Sequence, residues 1–356
     1  MALPRPSQVT RALGAALAGV LVLSGVVGVP GCGGEHDAVS TSSGTVHVRT
    51  ELGRAPHCAD NEPCIDEYQR FVELAAPHAR PIDQATLDGS LLAIARGEVP
   101  VLESTLPPSD VRAAVIDGLG IAFLLDDLAT SALDVIVTAE HASEYFRETD
   151  LVLVDPWVGE VPAILLRPLG PGPYPAVVAV HGHGDDAAIY RDSYHGSEYP
   201  GHGYAILMLT MRAMGIDADE HAISRELLRE GFSLIGLRVY ESLLGLEYLR
   251  SRDDVRADRV GLIGHSGGSS TGNLTVRVMP ANADEGFQAY VSDHHVNYFS
   301  SSPVEPYHCE TVPALYPYHP AIDDLARAPV PALTVPYAYP FGVAGIFRFF
   351  DEQLKR

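Results

Sequence analysis

The stretch RVGLIGHSGGSS, Arg259 to Ser270, is an apolar run that stops abruptly in small residues around one serine. A short apolar run bounded by glycine reads as a buried strand, and the residues after it read as a turn into a helix. Gly264-His265-Ser266-Gly267-Gly268 is a G-x-S-x-G sequence, and a strand before it with a helix after it is the context in which that motif carries chemistry. To stand clear of the end of a sheet, the serine hydroxyl needs a sharp turn in which neighbouring side chains would collide, and glycines relieve the collision. Ser266 is therefore a candidate nucleophile; the competing reading is an ordinary Gly/Ser loop.

Working outward, YPAVVAVHG (Tyr174 to Gly182) and GYAILMLTM (Gly203 to Met211) are continuous apolar strands of the kind buried on both faces. YFRETDLVLVD (145–155) and VPAILLRPLG (161–170) read as a strand pair, and FQAYVSD (287–293) and VPALTVPYA (330–338) as later strands. SRELLREGFSLIGLRVYESLLGLEYLRSR (224–252) reads as one long amphipathic helix leading to the motif strand. Strands alternating with helices argue for an α/β architecture with a mostly parallel sheet covered on both sides. Upstream, CIDEYQRFVELAAP (64–77) and SDVRAAVIDGLGIAFLLDDLATSAL (109–133) carry helical periods, with Ser109 and Asp110 as start signals.

The strand at 175–180 runs into His181-Gly182-His183-Gly184-Asp185-Asp186. An acyl-transfer site needs backbone N–H donors for a developing oxyanion, one after the nucleophile and one from the loop after the third strand. Gly267 and His183 are the candidates. The same loop reads alternatively as a zinc site through His181, His183 and Asp185, because histidine and aspartate are good zinc ligands.

Taken together, Thr149 to Arg356 resembles the α/β-hydrolase superfamily and, within it, the branch of dienelactone hydrolases and acetyl xylan esterases. The resemblance is carried by YPAVVAVHGHGDD, GYAILMLTMRAMG, LIGLRVYESLLGLEYLRSRDDVRADRVGLIGHSGG and DDLARAPVPALTV. It implies hydrolysis of a small-molecule or carbohydrate carboxylic ester through an acyl-serine, with no metal or organic cofactor. The expected organisation is a signal peptide with a possible lipobox over 1–32, a disordered linker over 33–56, a helical N-terminal extension over 57–140 and the hydrolase domain over 141–356.

In this fold the acid and then the histidine follow the serine along the chain. The acid position after the strand at 330–335 holds Pro336-Tyr337-Ala338-Tyr339-Pro340, with Tyr339 where a carboxylate belongs, and no histidine follows His319. GIFRFFDEQLKR (345–356) reads as the helix before a missing last strand, so the domain is expected to be incomplete at its C-terminus. Asp293, at the end of the sixth-strand candidate, is the substitute acid; the base is unassigned among His294, His295, His308 and His319. A hydrolase fold retained as a non-catalytic surface or binding module is the alternative from another functional class. Asp126 with Asp127, and Asp323 with Asp324, read as solvated or capping pairs, and Asn273-Leu274-Thr275 matches a glycosylation sequon.

The chain of 356 residues carries 46 acidic against 24 basic residues, a formal charge of −22 that disfavours nucleic acid as a partner. Arg5 and Arg11 precede an uncharged run from Ala12 to Val29, which reads as an export signal or, alternatively, a single membrane span. Val29-Pro30-Gly31-Cys32 resembles a lipobox that would acylate Cys32, giving a secreted or lipid-anchored extracytoplasmic protein. Cys58 and Cys64 are spaced for a short-loop disulfide, which an oxidising compartment permits.

Overall fold

The computed structural model describes residues 37–40, 45–53, 65–102, 105–128, 130, 132–215, 220–279, 285–294, 310–336 and 343–356. The export signal, Cys32, the Cys58–Cys64 pair, His295, His308 and Tyr339 lie outside the described residues.

Ten strands form one sheet among those residues. They are β1 (Asp37–Ser40), β2 (Thr45–Thr50), β3 (Leu133–Ala142), β4 (Arg147–Asp155), β5 (Gly159–Arg167), β6 (Tyr174–Val180), β7 (Ala205–Leu209), β8 (Val255–His265), β9 (Ala289–Asp293) and β10 (Ala332–Val335). Their order is β1-β2-β3-β4-β5-β7-β6-β8-β9-β10. From β4 to β5 to β7 the pairing is antiparallel; from β7 through β6, β8 and β9 to β10 it is parallel. This order and sense are those of an α/β-hydrolase sheet. β7 is buried along its whole length and β6 from Pro175 onward, as expected for strands with helices on both faces.

Strand order reverses at β6, because β7 lies on one side of it and β8 on the other. In open α/β sheets such a reversal opens a crevice beyond the carboxyl ends of the strands. The register brings those ends level, with Val180 beside Gly264 and His265 beside Asp293.

Among the described residues four α-helices precede β3, α1 (Ile65–Ala75), α2 (Gln84–Ala95), α3 (Pro108–Leu119) and α4 (Ala122–Leu128), and α5 (Ala187–Ser193) follows β6. Those four share one core with the rest of residues 35–356: Val111, Val115 and Leu119 of α3 are buried in the same cluster as Leu274 and Val276, and Arg112 Nε donates to Val278 O. The periodic run 109–133 is divided at Gly120, whose φ of 70° ends α3. That helix starts at Pro108, one residue before Ser109, because the fixed φ of proline suits the first helical position.

Three expectations need correction. The stretch read as a disordered linker over 33–56 contains β1 and β2; β2 joins the sheet in parallel with β3, and Val46 is buried. The boundary at 140 falls within β3, whose buried residues alternate imperfectly and were masked by a preceding helical pattern. The single helix read over 224–252 is two, α6 (Glu220–Glu230) and α7 (Leu234–Arg250). Gly231 at φ 86° makes the break, a side chain there would run into the Arg80 backbone, and Ser233 caps α7 by accepting from Gly236 N at 3.1 Å. Nor is α7 amphipathic, since Leu234 to Leu249 are all buried. A helix sandwiched between a sheet and other helices hides every face.

Candidate active site

Ser266 sits between β8 and α8 (Gly267–Val278) with φ 51° and ψ −118°. A non-glycine residue held there stores about 1–3 kcal/mol of backbone strain, which persists only when its surroundings dictate it. They do: Ser266 N–H donates to Asp293 O at 2.9 Å, Ser269 N–H donates to Ser266 O at 2.8 Å, and Ser269 Oγ donates to Gly264 O and Asp293 O at 2.6 and 2.7 Å. A methyl on Gly264 would run into the Gly268 carbonyl, and one on Gly268 into the Val180 and His181 carbonyls. One on Gly182 would stand 2.9 Å from Ser266 Cβ, so the loop after β6 and the serine turn touch. The Gly264, Gly267 and Gly268 positions thus have the steric role read from the motif, and the segment around residue 183 adjoins the serine turn.

In the loop after β6, His181 is fully buried and both of its ring nitrogens are engaged by backbone. Nδ1–H donates to Gly182 O at 2.8 Å, and Nε2 accepts from Met211 N–H at 2.9 Å. Burial lowers its pKa to about 4, so the ring is neutral. A ring with both nitrogens committed to backbone has no lone pair for a metal, and among the described residues no group of three His, Cys, Asp or Glu is arranged to hold one. The alternative zinc reading of His181, His183 and Asp185 is therefore corrected: His181 braces the loop. Gly184 N–H donates to Met214 O at 2.7 Å, tying the same loop to the chain after β7.

Two polar clusters flank the serine. On one side, Asp293 at the end of β9 meets His265, the residue before the serine, with Oδ2 2.8 Å from Nδ1. Both are buried. The Tyr194 ring lies 4.1 Å from the His265 ring. Asp185 interacts with both sides: burial raises its pKa, while Tyr194 and the proximity of His265 and of His183 oppose the rise. Asp293 thus does hold an imidazole, but not one of the four considered from sequence. His294 Nδ1 lies 3.0 Å from Pro336 O, with its ring 6.1 Å from that of His265, and His319 Nδ1 lies 2.8 Å from Tyr316 O.

On the other side, the His183 ring lies against Gly267, where a methyl would collide with it. His183 Nε2 is 3.1 Å from Glu220 Oε1 and 3.8 Å from Glu310 Oε1. Glu220 is in turn held by Arg238 Nη2 at 2.5 Å, and Arg238 is fully buried, donating also to the carbonyls of Arg212 and Ala213 at 3.0 Å each. Burial pulls the His183 pKa down, but the Glu220 hydrogen bond and both carboxylates outweigh it and raise it. Glu220 is likewise penalised by burial, yet Arg238 and His183 lower it to about 2. Glu310 is dominated by burial and pushed up to about 7 against the pull of His183 and Arg238.

His265, Glu220, Glu310 and Arg238 were missed from sequence. His265 was visible as the variable residue of the motif, but only the register of β8 with β9 shows that it faces Asp293. The carboxylate pairs stay outside the site: Asp127 accepts from Trp157 Nε1 at 2.7 Å, and burial pushes Asp323 up to about 7 beside Arg277. Asn273 is buried with Nδ2 donating to Ile322 O at 3.0 Å, which removes it as a glycan acceptor in the folded chain.

No family model matches the chain. It is 32% identical over 123 residues to the Bacillus subtilis (strain 168) protein named "Putative hydrolase YtaP", a match covering 31% of this chain and 41% of that one. The chain thus spans under half the length of the curated relative it matches. Among solved structures it is similar to the acetyl xylan esterase of Paenibacillus sp. R4, with 12% identity, TM-score 0.46 and coverage of 74% of this chain and 99% of that one. It is also similar to acetyl xylan esterase 1 of Thermoanaerobacterium sp. JW/SL YS485, with 14% identity, TM-score 0.40 and coverage of 66% and 78%.

Proposed function

We propose that this protein is a carboxylic ester hydrolase acting through an acyl-serine on Ser266. The single observation that carries the reading is the backbone of Ser266, a non-glycine residue at φ 51° between a buried parallel strand and a helix N-terminus. Strain of this kind at a residue with nucleophilic chemistry points to a site built around its hydroxyl.

Ser266 Oγ attacks the ester carbonyl carbon, and the carbonyl π electrons move onto oxygen. The backbone N–H groups of Gly267 and His183 receive that negative charge. His265, with Nδ1 held by Asp293, accepts the hydroxyl proton at Nε2 and returns it to the departing alkoxide. Water then repeats the sequence on the acyl-serine and regenerates the enzyme. Organic cofactors have no step in this scheme. Small acetyl esters are the first substrates to test, and the export and Cys32 acylation expected from residues 1–32 belong to the same proposal.

The experiment is covalent labelling by a fluorophosphonate together with turnover of p-nitrophenyl acetate. Wild-type protein is labelled at Ser266 and hydrolyses the ester, whereas Ser266→Ala does neither. Unchanged turnover in Ser266→Ala would reject the mechanism, and an unlabelled wild type would favour a binding module on the same fold.

A further inference from the structure

The cluster on the Gly267 side has no step in the mechanism above, although it is the most heavily charged buried group near the serine. Arg238, fully buried on α7, grips the chain after β7 through the carbonyls of Arg212 and Ala213. The residue next to Ala213, Met214, accepts from Gly184 N–H, directly after His183. Through its guanidinium, Arg238 also holds Glu220 at the start of α6, and Glu220 holds the His183 ring. Glu310 approaches the same ring from the opposite end of the chain and lies close enough to Gly267 that a methyl there would stand 2.9 Å from its Oε1. Two routes, one through backbone and one through side chains, therefore converge on the segment that carries the His183 N–H, and the ring so held rests on the residue that carries the other donor N–H.

We propose that Glu220, anchored on Arg238, and Glu310 are positioning residues that clamp the His183 side chain over Gly267 and thereby set the spacing of the two oxyanion N–H groups. The inference deepens the acyl-serine reading and rests on it. A carboxylate lost from one side frees the ring to rotate about χ1 and χ2, and a donor displaced by even part of an ångström forfeits much of a hydrogen bond made only as charge develops. The charged groups facing His183 are Glu220 from α6, Glu310 from the segment before residue 313, Arg238 from α7, and His181 and Asp185 from its own loop. Ser270 of α8 lies on the same side and opposes the rise in the Glu310 pKa. Glu310 is pushed to about 7 whereas Glu220 is lowered to about 2, so the ionisation of Glu310 changes the charge on the clamp within an accessible pH range.

The test uses the full chain as Glu220→Gln and Glu310→Gln, with Asp323→Asn as control. Asp323 is a second carboxyl that burial pushes up to about 7, with Arg277 and none of the clamp residues opposing the rise. In Glu220→Gln, kcat for p-nitrophenyl acetate falls ~10–100-fold, below the full loss of one donor, while KM stays within about threefold. Phenylboronic acid, which places an oxygen of its tetrahedral serine adduct in the same hole, loses affinity by the same factor as kcat/KM. A role in general stability alone would not produce that matched loss. A second arm needs no turnover: in the Ser266→Ala background the amide resonances of Gly267 and His183 shift with an inflection near pH 7, which Glu310→Gln abolishes and Asp323→Asn retains. Boronate affinity and kcat within twofold of wild type in both glutamine variants, or an inflection that survives Glu310→Gln, would overturn the proposal. Absence of turnover in the wild type would reject the hydrolase reading and leave the amide arm to decide this one.

Discussion

Two imidazoles flank Ser266, and their surroundings give them different work. His265 is held by the Asp293 carboxylate at 2.8 Å, with the Tyr194 ring tilted against it and Asp185 nearby. His183 faces two carboxylates, Glu220 and Glu310, with a buried arginine behind them. In the proposed mechanism the ring held through Nδ1 exchanges its proton at Nε2, whereas the carboxyl groups beside His183 raise its pKa and hold it in place. The first environment suits a proton carrier and the second suits a fixed strut. The two clusters also differ in burial: the His265 and Asp293 side chains are 5% and 4% exposed, against 26% and 13% for His183 and Glu220.

The largest expected effect falls on the first cluster. Asp293→Asn leaves the shape intact but removes the charge that orients and stabilises the His265 imidazolium, and kcat is expected to fall by about 10⁴, as for the equivalent change in serine proteases. A loss below tenfold would remove His265 and Asp293 from the proton path and shift that role to another imidazole. Next comes Glu220→Gln, at ~10–100-fold in kcat, read from steady-state kinetics at fixed pH. If it costs more than Asp293→Asn, the assignment of carrier and strut is reversed.

Smaller still is a pH effect on stability. Glu310 has its pKa raised from an ordinary 4.5 to about 7 by burial, so the folded chain keeps a proton that the unfolded chain has lost. Its contribution is therefore fully present below about 4.5 and is lost as pH rises through about 7, a change of up to about 3 kcal/mol. Denaturant midpoints across that window fall for the wild type and fall less for Glu310→Gln. Asp323→Asn flattens the same window for the same reason, yet leaves kcat unchanged, because Arg277 and none of the clamp residues opposes the rise at its carboxyl. The least effect is expected from Asp127→Asn, which keeps an oxygen to accept from Trp157 Nε1 and should move activity by less than twofold in the same assay.

Much of the fold was legible because its signals are local. The continuous apolar runs of β6 and β7 and the glycines around Ser266 each announce themselves within a dozen residues. The helix break at Gly231 was equally local but was outweighed by the apolar period on either side, and β2 was hidden because six residues of a polar stretch form a strand only when β3 offers an edge. At the site, Ser266 and the loop through His183 could be read from spacing, as could Asp293 from its place at a strand end. The partner of Asp293 could not.

The amino-acid sequence by itself determined where the chain turns, which runs are buried and which serine is lifted out of the sheet, since all three depend on the volume, polarity and backbone freedom of neighbours along the chain. Only the tertiary structure decided which imidazole meets which carboxylate. His265 and Asp293 are 28 positions apart and adjacent solely because β8 and β9 pair in that register, and His183, Glu220, Arg238 and Glu310 come from four separate segments. Charge interactions act through space at a few ångströms, so the identity of a partner is a property of packing that no local pattern encodes.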